Sequence, residues 1–314
     1  MFGGGTDHPK WFNNNGGGAV VSFSIDKYCY ISLRELPPFF EHKFRISYSK
    51  VECVLNVQDI QHPAVRQAFS KYLSGRSLEL HHHGDLPSRS GVGSSSSFAV
   101  GLIKSIHALN GADISRFQLS KEAIELEQVD LKENVGSQDQ IAVSYGGINL
   151  IEFKETDSWS IKKIELKDEY RKDLESRIVL LYSGISRMSS DISRYLIENF
   201  QLNTTLMHRT KQLALEFGEL IGNERSLESV PAMLNESWSI KKQVNPLAIS
   251  SHLEDFYKLA ISRGAQGGKI LGAGGGGFFM FWVDPENRNR FIESMKPAVA
   301  VDISISDQGS TRIL

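Results

Sequence analysis

Residues 87–97 read PSRSGVGSSSS and run straight into the apolar stretch FAVGLIKSIHAL. A glycine/serine turn that opens an apolar helix makes an anion site. Gly91 and Gly93 let the backbone fold tightly, and the first turn of the helix leaves several N–H groups without partners. Those donors and the positive end of the helix suit a polyphosphate, which Ser90, Gly91, Val92, Gly93, Ser94, Ser95 and Ser96 would surround. The hydroxyls of Ser94 to Ser96 can cap the helix or reach a metal ion. An ordinary serine-capped helix is the alternative reading of the same residues.

A second glycine run, Gly272-Ala273-Gly274-Gly275-Gly276-Gly277, separates Lys269-Ile270-Leu271 from the apolar segment Phe278 to Val283. By composition it is a flexible linker. Strand-like segments flank it closely and no domain-sized segment lies beyond it. Close approach of backbone to a ligand or a packed neighbour is therefore the favoured reading.

Two better-known phosphate loops are excluded. Gly268-Lys269 is followed by Ile270 rather than Ser or Thr, so no Walker A loop is present. The dinucleotide fingerprint wants a small residue where Ser96 stands, and a second strand where polar Asn110, Gly111 and Asp113 follow. No HRD or DFG occurs, which removes the protein kinases.

With 314 residues and 40% hydrophobic content, the chain can fill one large core or two moderate ones. The 35 basic and 37 acidic residues are well mixed and leave a net charge of -2, which argues against a nucleic-acid footprint. No apolar run is long enough for a membrane span. MFGGGTDHPKWF lacks the basic and apolar regions of a signal peptide, and Cys29 and Cys53 make no disulfide framework. The expectation is a cytoplasmic protein with small-molecule partners, no nucleic acid and no membrane.

Periodicity places strands within Ala19 to Leu33, Lys43 to Leu55 and Ser77 to His83, and a short helix at Pro63 to Leu73. Helices follow at about 94–109 and at Ser120 to Leu131, the latter capped by Ser120. A further helical turn at Gln138 to Ser144 precedes a strand at Ile148 to Phe153. From Arg177 to Tyr182 another strand leads into long amphipathic helices near 189–199, 205–221, 226–240 and 250–263. The last 45 residues, by the same patterning, return to strand, helix and strand. The fold class is α+β in two parts, 1–170 and 171–314.

Taken together these segments resemble the GHMP superfamily of small-molecule kinases. Pro87, Gly91, Gly93, Ser94 and Ser95 match its phosphate-binding second motif, and LGAGGGG (271–277) its third. Within it the chain resembles the D-glycero-D-manno-heptose 7-phosphate kinase branch through GGGTDHP (3–9), FRISYSKVE (44–52), ENVGSQDQIAVSYGGINLIEF (133–153), LLYSGISRMSSDI (180–192), ESWSIKK (236–242) and GGKILGAGGGGFFMF (267–281). The resemblance implies an N-terminal α+β domain of the kind seen in a small-subunit ribosomal protein, joined to a ferredoxin-like domain, with the active site between them. The implied activity is transfer of phosphate from ATP to the anomeric C1 hydroxyl of the sugar phosphate. Kinase action on fucose or galactose, or binding with little turnover, are the alternatives.

By the same resemblance Asp139 is the catalytic base, accepting the proton of the attacking hydroxyl; as residue chemistry alone, it also reads as a helix cap. Ser95 and Glu127 would hold Mg²⁺, an ion that takes few protein ligands; alone, Glu127 reads as a solvated helix residue. Gly4, Gly5, Thr6 and Asp7 match the sugar-contacting turn, with a plain surface turn as the alternative. Ser183, Gly184 and Arg187 would face the substrate, the guanidinium holding the distal phosphate, although a lone arginine is commonly solvated. Gly272, Gly274, Gly275 and Gly276 would lie near the phosphates. Lys269 reads as a structural or a phosphate-proximal cation. His81, His82 and His83 lie in a strand where only His81 and His83 share a face, so a structural role is favoured over metal binding.

Family members usually carry a further segment ahead of GGGTD, forming an edge strand with a basic residue near the transferring phosphate. The sequence here starts at Met1-Phe2-Gly3. An exposed β edge and one cation fewer beside Asp139 are the corresponding expectations.

Overall fold

The computed structural model describes residues 1–88, 90–156, 158–185 and 190–313, with Ser190 through its backbone alone. Among these, three sheets are built from β1 (Gly18–Phe23), β2 (Cys29–Glu35), β3 (Phe44–Ser47), β4 (Val51–Val54), β5 (Leu78–Gly84), β6 (Ile148–Lys154), β7 (Ser158–Ile164), β8 (Ile178–Tyr182), β9 (Gly267–Ile270), β10 (Phe278–Trp282) and β11 (Val299–Val301).

The sheet β1-β6-β7 is antiparallel, with Val20 opposite Ile151 and Leu150 opposite Lys162. The GAVVS stretch of β1 is buried throughout, because the long helix Thr204–Gly222 from the other half of the sequence lies across it. Gly218 of that helix permits the approach, standing where a Cβ would be 3.3 Å from Val21. The two halves consequently share one core, which runs from Phe2 and Val21 through Leu150 and Phe217 to Met280 and Ile305. The edge of β1 is not bare: Phe2 pairs with Val21 through hydrogen bonds in both directions, and its ring packs 4.8 Å from that of Phe217. The exposed edge expected from the sequence is thus closed by local pairing.

The second sheet has the order β2-β5-β3-β4, with β3 parallel to β5 and the other pairs antiparallel. Helices Pro63–Tyr72, Ser94–Leu109 and Arg116–Glu125 cover one face and close a core around Ile46, Leu80, Phe69, Leu102 and Ile106. The third sheet, β11-β8-β10-β9, is antiparallel and packs Val179, Phe279 and Phe281 against Trp238, Leu253 and Phe291 of the C-terminal helices.

Three local expectations change. The helix expected from Ser120 begins at Arg116, since Ser115 accepts the N–H of Gln118 as the cap, while Ser120 is fully buried and its hydroxyl donates to the Arg116 carbonyl. The same helix continues as a π-helical stretch over Leu126–Asp130. Strand β7 and the helix Asp168–Arg177 are additions: SWSIKKI is mostly exposed, and DEYRKDLESR buries Leu174 alone, so neither carries an apolar stripe to betray it. No helix among the described residues is long and apolar enough to cross a membrane.

Candidate active site

The two glycine runs, some 180 positions apart in sequence, meet in space. A Cβ on Gly91 would stand 2.8 Å from the Leu271 carbonyl oxygen, and the Ser90 carbonyl accepts the N–H of Phe278 at 3.0 Å. The turn is held from its own side by Ser90 Oγ donating to Pro87 O at 2.7 Å. Gly93, at φ +76°, is the N-cap of Ser94–Leu109, so the serines do not cap it through their side chains. The early N–H groups of that helix are thereby left facing a cleft of ≈1280 Å³ walled by Ser90 to Ser97, Gly272 and Gly274. The helix end and the glycine turn that the sequence singled out thus line one wall of this cleft together.

Asp139 lies in the first turn of the helix Gln138–Tyr145, against Gly93; a Cβ there would be 3.4 Å from its carboxyl carbon. It is half-buried and opens on the cleft. Burial, and then the negative charges of Asp7 and Glu127, push its carboxyl up to about 7. A carboxylate poised near neutrality is matched to accepting a proton.

Asp7 explains how that helix start is placed. Its Oδ1 accepts the Gly5 N–H at 2.8 Å and its Oδ2 accepts the Gln138 N–H at 3.1 Å, while its own carbonyl accepts the Ser137 N–H. A Cβ on Gly136 would collide with the carboxylate. Asp7 is 1% exposed, and burial raises its carboxyl above the usual range despite these N–H donors. Gly4 and Gly5 share the cleft wall with it. Thr6 faces the other way: its hydroxyl donates to the carbonyls of Gly3 (2.7 Å) and Ala19 (3.0 Å), fastening the turn to β1.

Glu127 sits in the π-helical stretch, where the register shift of one residue turns it inward, a frequent use of such stretches. Ser95 Oγ donates to its Oε1 at 3.0 Å and Ser96 Oγ to its Oε2 at 2.8 Å, with the Gln140 amide donating to Oε2 as well. It is 2% exposed, and burial raises its carboxyl although these donors oppose the shift. Among the described residues, no cluster of three or more His, Cys, Asp or Glu is arranged for a metal. Yet the hydroxyl and carboxylate oxygens of Ser95 and Glu127 fit a hard divalent ion that keeps several of its waters.

The third motif is secured by main-chain bonds: Gly275 N–H to Ala248 O (2.7 Å), Gly277 N–H to Ile185 O (2.8 Å) and Ser183 N–H to Gly277 O (2.9 Å). Gly272, Gly274 and Gly276 reach the cleft wall, while Gly275, Ser183 and Gly184 are not part of it. Arg187 lies outside the described residues. His81 bonds Glu79 at 3.0 Å and His82 packs on Phe98, both in the second sheet.

Sequence reasoning passed over Lys241. It lies on helix Val230–Val244, its ammonium donates to the Gly272 carbonyl, and it lines the cleft beside Lys269. Burial and the charge of Lys269 push it down to about 7; burial alone pushes Lys269 down to about 8. In sequence it is one of two adjacent lysines at a helix end, with no local mark of burial.

Comparison with known proteins agrees with this geometry. The N-terminal domain pattern of the GHMP kinases matches residues 59–147, which include the phosphate turn, Glu127 and Asp139, and the C-terminal pattern matches 216–301, which include Lys241, Lys269 and the third motif. A D-glycero-alpha-D-manno-heptose 7-phosphate kinase of Campylobacter jejuni is 33% identical over 237 residues, 74% of this chain and 70% of that protein. A bifunctional fucokinase/GDP-fucose pyrophosphorylase of Arabidopsis thaliana is 21% identical over 74% of this chain and 23% of its own length. The crystal structure of a D-glycero-D-manno-heptose 1-phosphate kinase from Bacteroides thetaiotaomicron superposes with a TM-score of 0.78 at 22% identity, covering 98% of this chain and 94% of that one. Both walls of the cleft, the α+β fold and the sequence thus point the same way, and the chain belongs to the GHMP kinases, a family of phosphotransferases.

Proposed function

We propose that the protein transfers the γ-phosphate of ATP to the anomeric C1 hydroxyl of D-glycero-D-manno-heptose 7-phosphate, giving the 1,7-bisphosphate and ADP. The observation that carries the reading is Asp139: a half-buried carboxylate, poised near neutrality, between the phosphate turn at Gly93 and the glycine turn ordered by Asp7. The heptose is supported by the relative of that printed activity.

In this reading the N–H groups at the start of Ser94–Leu109 cradle the triphosphate, and Gly272, Gly274 and Gly276 close over it. Gly4, Gly5 and Asp7 orient the sugar. Asp139 accepts the C1 hydroxyl proton as that oxygen attacks the γ-phosphorus in line and the bond to the β-phosphate oxygen breaks. Ser95 and Glu127 hold Mg²⁺, whose charge offsets that of the phosphates when bound. By the family resemblance Arg187, which lies outside the described residues, is one candidate for holding the distal phosphate. The reading includes domains divided near residue 170, a cytoplasmic location and small-molecule partners, with no nucleic acid and no membrane.

The test is ADP release from MgATP with heptose 7-phosphate, mannose, fucose and galactose, with Asp139→Asn as control. Turnover confined to heptose 7-phosphate and lost in the variant supports the reading. Turnover with fucose or galactose replaces the substrate and keeps the kinase. Nucleotide binding with no turnover on any sugar replaces the catalyst with a binding protein.

A further inference from the structure

We propose that Lys241 and Lys269 form a two-cation cradle on the cleft floor that binds a phosphate group, supplied either as the γ-phosphate of the nucleotide or as the ester phosphate carried by the sugar.

The two side chains converge from different elements. Lys269, on β9, is 9% exposed; its ammonium donates to Ser237 Oγ at 2.9 Å and to the Met1 carbonyl at 3.1 Å. Lys241 stands one helical turn after Ser237 and donates to the Gly272 carbonyl. Every one of these partners is neutral, and neither lysine joins an ion pair among the described residues. Two neighbouring ammonium groups without a counter-charge, one buried and one half-buried, are costly, since buried charges are ordinarily paired. An ammonium has three N–H donors, so Lys241 keeps two free and Lys269 one. What the pair lacks is an anion with several acceptor oxygens. A phosphate dianion supplies both the charge and the oxygens, whereas a carboxylate supplies half the charge.

Location agrees with chemistry. Met1, Ser237, Lys241, Lys269 and Gly272 all line the cleft, and Gly272 abuts Gly91 of the phosphate turn. The other ionisable groups close by are the Met1 amino group, which burial and then the charge of Lys269 push down to about 5, and the carboxyls of Asp139 and Asp7, whose charges act on that amino group in the opposite sense. Burial has already pushed the two ammonium groups down to about 7 and about 8, so an arriving dianion draws protons onto them.

The experiment titrates the full chain, and its Lys241→Met and Lys269→Met variants, with four ligands by calorimetry at pH 8. These are ADP, β,γ-imido-ATP, heptose and heptose 7-phosphate. If the γ-phosphate occupies the cradle, the variants weaken the ATP analogue by about tenfold or more and leave ADP unchanged. If the sugar's phosphate occupies it, heptose 7-phosphate is weakened in the same way and heptose is not. That second arm rests on the heptose reading; the first rests on family membership alone. Repeating the wild-type titration in buffers of different ionisation enthalpy should show proton uptake with the phosphate-bearing ligand, because a phosphate monoester is itself already dianionic at pH 8. Folded variants that bind all four ligands within about threefold of wild type overturn the cradle. Uptake that persists unchanged in the folded variants comes from Asp139 and not from the lysines, and where a methionine variant does not fold, Lys241→Gln and Lys269→Gln are titrated in its place by the same threefold criterion. Weakening of the ATP analogue together with no turnover of heptose 7-phosphate keeps the cradle and sinks the substrate assignment.

Discussion

Gly91 and Gly272 touch through their backbones: a Cβ on Gly272 would lie 2.6 Å from the Gly91 Cα. Both have positive φ, +81° and +61°. A side chain at either point strains the backbone and forces the phosphate turn away from the third motif. Gly272→Ala should weaken ATP binding by about tenfold or more and cost stability of about 1–3 kcal/mol. Titration with β,γ-imido-ATP beside a thermal melt checks this, and unchanged affinity would mean the contact is incidental to the nucleotide.

Asp139→Asn removes the proposed base while keeping its shape. kcat should fall by about 10²- to 10⁴-fold with ATP affinity retained, and the acid limb of wild-type kcat/KM in the free enzyme should lie near pH 7. The stability effect has a definite sign. The folded-state value, about 7, exceeds the ordinary 3.8, so the folded protein holds this proton more tightly. That contribution is present below about pH 4 and is lost as pH rises through about 7. The asparagine variant should therefore melt above wild type at pH 8 and level with it at pH 4.

Asp7 acts on Asp139 in two ways that two variants can separate. Asp7→Asn removes a negative charge that helps raise Asp139, so the acid limb should move to lower pH. It also sets an amide N–H against a backbone N–H of Gly5 or Gln138, at a cost of about 1–3 kcal/mol. Gly136→Ala, whose Cβ would collide with the Asp7 carboxylate, should lower kcat without shifting the limb in the same direction. If both variants give the wild-type pH profile, Asp7 does not set the charge state of Asp139.

Glu127→Gln should raise the Mg²⁺ concentration for half-maximal activity by about tenfold or more, because one of the two proposed ligands loses its charge. Ser96→Ala deletes only a donor to Glu127 Oε2, at about 1 kcal/mol, and should move the Mg²⁺ requirement less than Ser95→Ala. Equal effects from the two serines would place the ion elsewhere.

The local parts of this molecule were legible in its sequence. The turn at 87–97, the helix it opens, the second glycine run and the alternation of strands and amphipathic helices are all patterns of near neighbours, and periodicity reports them directly. The match of motifs to a kinase superfamily was legible for the same reason. Strand β7 and the helix Asp168–Arg177 escaped because each is largely exposed, and the cap at Ser115 was misplaced because Ser120 lies on the same helix with equal capping chemistry.

Tertiary structure alone decided the charges and the contacts across the chain. Nothing on its own helix raises the Asp139 carboxyl; burial does, followed by Asp7 from the start of the chain and Glu127 from the preceding helix. Lys241 becomes a half-buried cation only where helix Val230–Val244 meets the loop at Gly272. Asp7 serves as a clamp only because Gly136 leaves room for its carboxylate. Sequence determines which groups are available and the elements they ride on, since both follow from neighbours along the chain. Which groups are stripped of water and face one another depends on contacts between residues that stand on different elements, from about a dozen to more than a hundred positions apart, and these exist only once the chain has folded.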